Sequence, residues 1–565
     1  MLYYPSTNNS LFSGDISAMA NSTLLFKVGM VTDTHINHTP GSCKKLKAAL
    51  KLFAAEKVDI MINCGDIANH HNLEAYKLYR RLINEVYASA EKKPKEIFIS
   101  AYHDWTKPPE AESSFASMKE ALQVPHNMQD KLTFKGYNFL IIPQNITMEN
   151  LESAIAAAVA ETPEKPVFVI DHIPPYGIFH NGKLWGDQRR FDVMKKFPSA
   201  IHISGHIHAS LFDESNIWQG DFTAVNLGGL ANWGGDFAGV LPKSKPAGEV
   251  VIMEVFKEKL LFHRISVINS KEYVPDSPWC IPLPFHGATA PYNAARRKAA
   301  SLPPAFSPRA KIKLTTEGKK FELLKIRFPE AAPEVFKYKV RICQKNADGT
   351  FEERAVTETP GNFYKAASYR KSPVELSLPA LYFEKGKNYM ISVIPVNFYE
   401  KEGTPLSTLW KAPAPAESKL IFESGDPMKE LSFFAEAEGE TKVKKEGEFY
   451  TPESYSARLE FPENVLAAYP PETKVRMVVD LHTIQESDDT LPAFMTVANP
   501  APLANLSGRI FTAAGDVRSR YAAEFPVKAG MRYALLLRSC TNIKIRFHHI
   551  KLEMLEDSVK KDVKK

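Results

Sequence analysis

Asp and His residues recur in this chain at one kind of place, directly after short apolar runs. Residues 24–32 end in Asp33-Thr34-His35, and 58–63 lead into Gly65-Asp66. Residues 97–101 precede His103-Asp104, 167–170 precede His172, and 201–204 precede Gly205-His206-Ile207-His208. Carboxylate and imidazole donors suit borderline divalent metals. In open α/β sheets, ligands bind outside the carboxyl ends of the strands. Five strand ends converging there offer enough donors for two cations, with one carboxylate shared between them. Asp-x-His and Gly-Asp each arise often by chance, and Gly-His-x-His less so; the ordered set, every member after a strand, carries the signal.

The elements that must position these residues alternate between two periods. Leu46, Leu50 and Phe53 recur at helical spacing, 73–90 reads as an amphipathic helix and 151–160 as another. Residues 139–142 read as a further strand, and 250–255 with 260–267 as a hairpin. The spacing predicts a layered α/β domain over 24–269, after an N-terminal extension of 1–23. Residues 270–306 are rich in Pro and read as a linker. Helical periodicity then nearly vanishes. Short alternating runs at 338–342, 389–393, 457–461, 476–481 and 543–552 are separated by turn signals such as Asp348-Gly349 and Glu402-Gly403. That texture predicts all-β sandwiches. A Pro-Ala stretch at 412–416 divides them into 307–412 and 418–556, with a charged tail at 557–565.

Composition sets the limits. At 44% hydrophobic and 24% charged residues, the 565-residue chain is neither disordered nor fibrous. No apolar run approaches the about 18 residues that would span a bilayer. A net charge of +6 from 71 basic and 65 acidic residues is too balanced to argue for nucleic acid. The five scattered cysteines suggest no disulfide framework. Residues 1–26 contain no Lys or Arg, so no signal peptide can be drawn. Met19 could be the true start, and the compartment stays open between cytoplasm and export.

The ordered motif set resembles the calcineurin-like metallophosphoesterase family, whose pattern is Asp-x-His, Gly-Asp, Gly-Asn-His-Asp/Glu, a lone His after a strand, then Gly-His-x-His. The resemblance covers roughly residues 25–270. It implies a four-layer α/β sandwich and two divalent metal ions (manganese, zinc or iron). By the same resemblance Asp33, His35 and His208 hold the first metal, Asp66 bridges, and His172 and His206 hold the second. The cations would polarise the phosphoryl oxygens and activate a hydroxide that attacks phosphorus in line with the leaving oxygen. His103 resembles the histidine that protonates that oxygen or binds phosphate, with Asp104 orienting its imidazole.

One position departs from the pattern: the family's Gly-Asn-His reads Ala101-Tyr102-His103 here. The Asn normally lends an oxygen to the second metal. Tyr102 could swing aside and leave the ligand position to water, could ligate as phenolate, or could mark a damaged second site. His38, His70, His71 and His202 read as solvated or packed side chains, and Asn69 as a turn or supporting residue. Trp105, Trp185, Trp218 and Trp233 follow motif strands and read either as core or as an aromatic rim for the organic half of a phosphoester.

Residues 307–412 resemble a fibronectin type III domain, on the run around Tyr389, Ile391, Val393 and Pro395. Residues 418–556 are similar in texture to carbohydrate-binding jelly rolls, which implies a glycan partner. No Trp lies beyond Trp410 to stack on sugar, and a spacer or dimerisation module is an equal reading. The whole reads as a metal-dependent phosphoesterase acting on an organic phosphodiester or phosphomonoester. The rival is a catalytically weak protein whose degenerate site and β-modules bind a glycan or partner.

Overall fold

A computed structural model describes residues 23–555 apart from 37–40, 70, 107–109, 180–184, 232–247, 269–270, 273–277, 286, 288–289, 318–322, 334, 363–372, 380–382, 384–385, 414–417, 435–443, 452–455, 486–493, 501–502, 508–509, 512–515 and 539–542. The chain divides into two compact units. One is Met1–Leu302 with Phe398–Lys401, the other Pro303–Asn397 with Glu402–Lys565. His38, His70, Trp233 and the charged tail lie outside the described residues.

The first unit begins with β1 (Leu24–Val31), α1 (Ser42–Ala55), β2 (Ile60–Asn63), α2 (Leu73–Val86), β3 (Lys95–Phe98) and α3 (Ala111–Leu122). It continues with β4 (Asp130–Phe134), β5 (Tyr137–Ile141), α4 (Met148–Glu161), β6 (Val167–Ile170), α5 (Gln188–Met194), β7 (Ala200–Ser204), β8 (Ile217–Gln219) and β9 (Thr223–Asn226). It closes with β10 (Glu249–Phe256), β11 (Lys259–Ser266), β12 (Lys271–Glu272), β13 (Trp279–Pro282) and α6 (Ala294–Ala300). One sheet runs β12-β11-β10-β1-β2-β3, with β13 paired to β11; the other runs β4-β5-β6-β7-β9-β8. The strands that precede the motif residues are mutually parallel within each sheet, so their carboxyl ends share one edge.

The two sheets meet face to face. Val28, Met30, Ile60 and Ile62 of the first share a buried cluster with Phe139, Phe168 and Ile203 of the second. Phe139 and Phe168 stack with centroids 4.6 Å apart. The outer faces carry helices. Leu50, Phe53, Tyr76, Tyr79 and Met118 pack on Met61 and Phe98, and Leu151, Ile155 and Val193 pack on Val167 and Val169. Every residue of β2 and β6 is buried, as expected of parallel strands covered on both sides.

The span expected as a linker is partly ordered. Trp279–Pro282 adds a strand to the first sheet. Further on, α6 delivers Arg297, whose guanidinium donates to Glu214 Oε2 at 2.5 Å and to the Glu214 carbonyl at 2.6 Å. Arg264 and the Trp279 indole also donate to the Glu214 carboxylate, at 2.8 and 3.1 Å. A buried carboxylate flanked by two guanidiniums and an indole N–H is satisfied on both oxygens. High Pro content misled here because prolines sit at turns and at an edge strand, where no ladder N–H is lost.

The second unit is mostly β-sheet. Its first part has a three-stranded sheet, Lys313–Glu317, Leu323–Phe328 and Val374–Pro379, and a four-stranded one built on Lys337–Lys345 and Asn388–Val396. Ile326, Val374, Val340 and Ile391 from both share one core. Tyr389 is buried there and its hydroxyl donates to Gln344 Oε1 on the neighbouring strand. The later part has two six-stranded sheets, containing Lys474–Gln485 and Ala534–Arg538 respectively, around a separate core that includes Met477, Val479, Leu535 and Leu537. Among the described residues no helix is long and apolar enough to cross a membrane.

Candidate metal centre

The apolar strands stop where the chain turns sharply, and the turns carry the polar residues. Asp33, His35, Asp66, His206 and His208 all have positive φ, from 39° to 73°. Such a backbone costs a non-glycine residue about 1–3 kcal/mol each and persists at sites that the surrounding structure over-determines. Asp and His tolerate it better than bulkier residues. The two motif glycines are required. A Cβ on Gly65, whose φ is +100°, would lie 2.7 Å from His172 Nδ1. A Cβ on Gly205 would collide with Thr32 Oγ1 and Asp33 Oδ2.

Two triads form. Asp33, His35 and His208 make one; Asp66, His172 and His206 make the other. Within each, the offered ligand atoms lie within 4.8 Å of one another. In the first, His208 Nε2 is 2.9 Å from Asp33 Oδ1 and 3.3 Å from His35 Nε2. In the second, His172 Nε2 is 3.2 Å from Asp66 Oδ2. The same Asp66 oxygen is 3.9 Å from His35 Nε2 and 4.0 Å from His103 Nε2, so it sits between the triads.

The ligand atoms are aimed by partners behind them. Thr32 Oγ1 and the His206 amide donate to Asp33 Oδ2, at 2.7 and 3.0 Å, leaving Oδ1 facing the triad. His35 Nδ1 lies 2.7 Å from Asn69 Oδ1, and His172 Nδ1 lies 2.7 Å from the Cys64 carbonyl. Those acceptors place the proton on Nδ1 and the lone pair on Nε2, the arrangement that metal-binding histidines use. Asp33 Oδ1 and His172 Nε2 are buried without a hydrogen bond of acceptable geometry. Buried polar atoms rarely go without a partner, and two of them among convergent donors fit divalent cations.

The electrostatics agree. Burial would raise the Asp33 carboxyl, but His208 first, then His172 and His35, outweigh that and hold it below its usual range. Asp66 is likewise lowered to about 2 against burial, chiefly by His172. His172 itself is raised to about 10, burial being overcome by Asp66 and then Asp33. His35 is lowered to about 4 by burial and by His208; His206 is lowered to about 3 by burial and by His172. The two carboxylates thus favour a proton on His172 Nε2, which a bound cation would displace, while His35 and His206 stay neutral with their lone pairs available.

The remaining expected residues divide. His103 sits on the open side, its side chain 40% exposed, with its ring edge-on to His35 at 5.2 Å. Asp104, expected to orient His103, is fully buried and turned the other way. It accepts from the amides of Ile67 and Ala68 at 3.0 Å, from the Ala101 amide at 3.3 Å and from the Tyr76 hydroxyl at 3.2 Å. The short helical turn Tyr102–Asp104 points its carboxylate back at the loop bearing Asp66. Trp105 is buried with its indole donating to Ser100 Oγ at 2.8 Å. Trp218 packs on Phe191 and Phe222. Neither is rim. Trp185 and Tyr102 are exposed, the first edge-on to His206 and the second edge-on to His103, both at 5.8 Å. His202 is buried 3.6 Å from Asp171 Oδ2, and His71 Nδ1 lies 2.9 Å from the Asp104 carbonyl.

Sequence reasoning missed the residues that brace these loops. Asp171 accepts from the His172 amide at 2.7 Å and from Arg190 at 2.6 Å. Arg190 also donates to the Gln144 carbonyl at 3.0 Å, and Gln144 Oε1 accepts from the Tyr102 amide at 2.7 Å. Glu249 accepts from Ser210 Oγ at 2.9 Å and from the Leu211 amide at 3.1 Å, bracing the chain just after His208. The Asp beside His172 was the one local signal; the others act across long sequence separations.

The solved structure of a dimetal phosphatase from Danio rerio is similar over 43% of this chain and 96% of its own, at 12% identity and a TM-score of 0.31. No curated protein matches the chain. Residues 26–210 match the family described as calcineurin-like phosphoesterase, and the first unit therefore contains a domain of that family.

Proposed function

We propose that the first unit is a metal-dependent phosphoesterase that hydrolyses an organic phosphodiester or phosphomonoester. The observation that carries this reading is the pair of largely buried triads, in which Asp33 Oδ1 and His172 Nε2 face convergent donors without a hydrogen bond of acceptable geometry. Asp33, His35 and His208 would hold one divalent cation and Asp66, His172 and His206 a second; manganese, zinc and iron all suit these donors. Two such cations supply Lewis acidity toward phosphoryl oxygens and a water acidic enough to act as nucleophile near neutral pH. His103, on the open side, is the group that hands a proton to the leaving oxygen. Asp104 fixes the turn that carries His103 rather than its imidazole.

The second unit's paired sheets and separate cores support reading 307–412 as a fibronectin type III-like sandwich and 418–556 as a second β-sandwich that serves as a binding, spacer or dimerisation module. Tyr102 favours a second reading, a weakly catalytic binding protein, because it is 52% exposed at the position of the family's Asn. Metal analysis with a panel of 4-nitrophenyl mono- and diesters tests the first reading; fewer than one metal per chain and no turnover would favour the second. Tyr102→Asn separates them further. If the residue has only vacated a ligand position, the substitution tightens the second metal about tenfold or more, a charge-assisted contact being worth about 1.5 kcal/mol or more.

A further inference from the structure

We propose that the organic half of the substrate is a planar aromatic group, received by Trp185 and Tyr102 at the mouth of the second triad. This rests on the phosphoesterase reading for the phosphoryl half only. Among the described residues of the first unit, the exposed large apolar side chains are Leu24, Leu73, Tyr102, Trp185, Ile268 and Leu302. Just two are aromatic, and both touch histidines of the site. Scattered exposed apolar residues need no explanation; the two exposed aromatic rings both placed against one buried polar centre do.

Trp185 is 40% exposed and meets His206 edge-on, with an interplanar angle of 83°. Tyr102 meets His103 edge-on at 81°. Buried Trp105 stands behind it at 6.5 Å, its indole tied to Ser100. At 40% and 52% exposure, Trp185 and Tyr102 each keep aromatic surface that a ligand entering beside the triads can cover.

Both aromatics are anchored to one buried hub. The Tyr102 amide is held by Gln144, and the Gln144 carbonyl by Arg190. Arg190 lies on α5, which begins three residues after Trp185, and is paired with Asp171 and Asp187 at 2.6 and 3.0 Å. The chain after Trp185 is fixed again where the Asp187 amide donates to the Pro174 carbonyl at 3.0 Å. A rigid mount for two rings is what a stacking site needs, since ordering loose rings on binding would cancel the gain.

The test is calorimetric titration of the manganese-loaded full chain with methylphosphonate, cyclohexylmethylphosphonate and 1-naphthylmethylphosphonate, which share a phosphoryl mimic and cannot turn over. The naphthyl compound should bind about tenfold tighter than the methyl one, as two aromatic contacts would give. The ratio should fall to about threefold in Trp185→Ala and in Tyr102→Ala, and should survive in Trp185→Phe. Equal affinity for all three ligands overturns the proposal. So does a cyclohexyl compound as tight as the naphthyl one, or a ratio unmoved by both alanine variants. Aryl preference without phosphoester turnover would sink the hydrolase reading and leave this one standing; turnover without aryl preference would do the reverse.

Discussion

Replacing Asp104 separates a bracing role from a catalytic one. Its carboxylate takes two short bonds from the Ile67 and Ala68 amides, and longer ones from Ala101 and Tyr76. Asp104→Ala strands the two short donors in a buried site, and each unsatisfied group costs about 1–3 kcal/mol. The expected loss is therefore about 2–6 kcal/mol, a large share of the about 5–15 kcal/mol typical of a folded protein. Asp104→Asn keeps the Oδ1 acceptor that serves both short bonds and gives up only the long Oδ2 contacts with Ala101 and Ile67, so it should cost clearly less than Asp104→Ala. Urea unfolding of the metal-free chain, followed by tryptophan fluorescence, reads this directly. Trp105, Trp185, Trp218, Trp233 and Trp279 all lie in the first unit, and only Trp410 in the second. Asp104→Ala within about 1 kcal/mol of wild type, or Asp104→Asn as damaging as Asp104→Ala, would refute the reasoning. Were Asp104 chiefly the orienting partner of His103, turnover would collapse in Asp104→Ala with stability unchanged.

Further outcomes follow from the same geometry. Asp66→Ala should lose both metals, because its carboxylate lies between the triads, while His172→Ala should lose one; metal counting by mass spectrometry distinguishes them. His103→Ala should lower turnover about 10²–10⁴-fold, the usual worth of a proton-transfer group, with metal content held; loss of metal would make it a ligand instead. Glu214, held below its usual range by Arg264 and Arg297 against its burial, stabilises the fold above its unfolded pKa. That contribution disappears as pH falls through its lowered folded value. Glu214→Gln should therefore cost stability at pH 7 and flatten the loss of stability below about pH 4.5; parallel acid limbs for variant and wild type would contradict this.

How much of this was legible depends on the range of the interactions. The strand ends were readable because an apolar run followed by Asp or His is a local pattern, and Gly65 and Gly205 announced the tight turns between them. The extra strands Asp130–Phe134 and Ile217–Gln219, and the helix Ala111–Leu122, carried too few apolar residues to stand out. Asp104 was misread because adjacency to His103 in sequence says nothing of where a short helical turn sends its side chain. Trp105 sits in core and Trp218 packs half-buried against core residues, while Trp185 is exposed; local sequence does not distinguish them, because burial is decided by partners such as Ser100, Phe191 and Phe222. The span 270–306 looked like linker, yet Arg297 reaches Glu214 across 83 residues. Glu249, Gln144 and Arg190 belong to the same class: their acceptors and donors are fixed only by the fold.

The most direct test of the central claim is the rate of bis(4-nitrophenyl) phosphate hydrolysis by the metal-stripped chain, followed as manganese is added in counted equivalents. The account predicts little turnover through the first equivalent, a rise through the second, and a plateau at two per chain. Saturation with a single equivalent, or two tightly bound equivalents with no hydrolysis of this or any 4-nitrophenyl monoester, would contradict it.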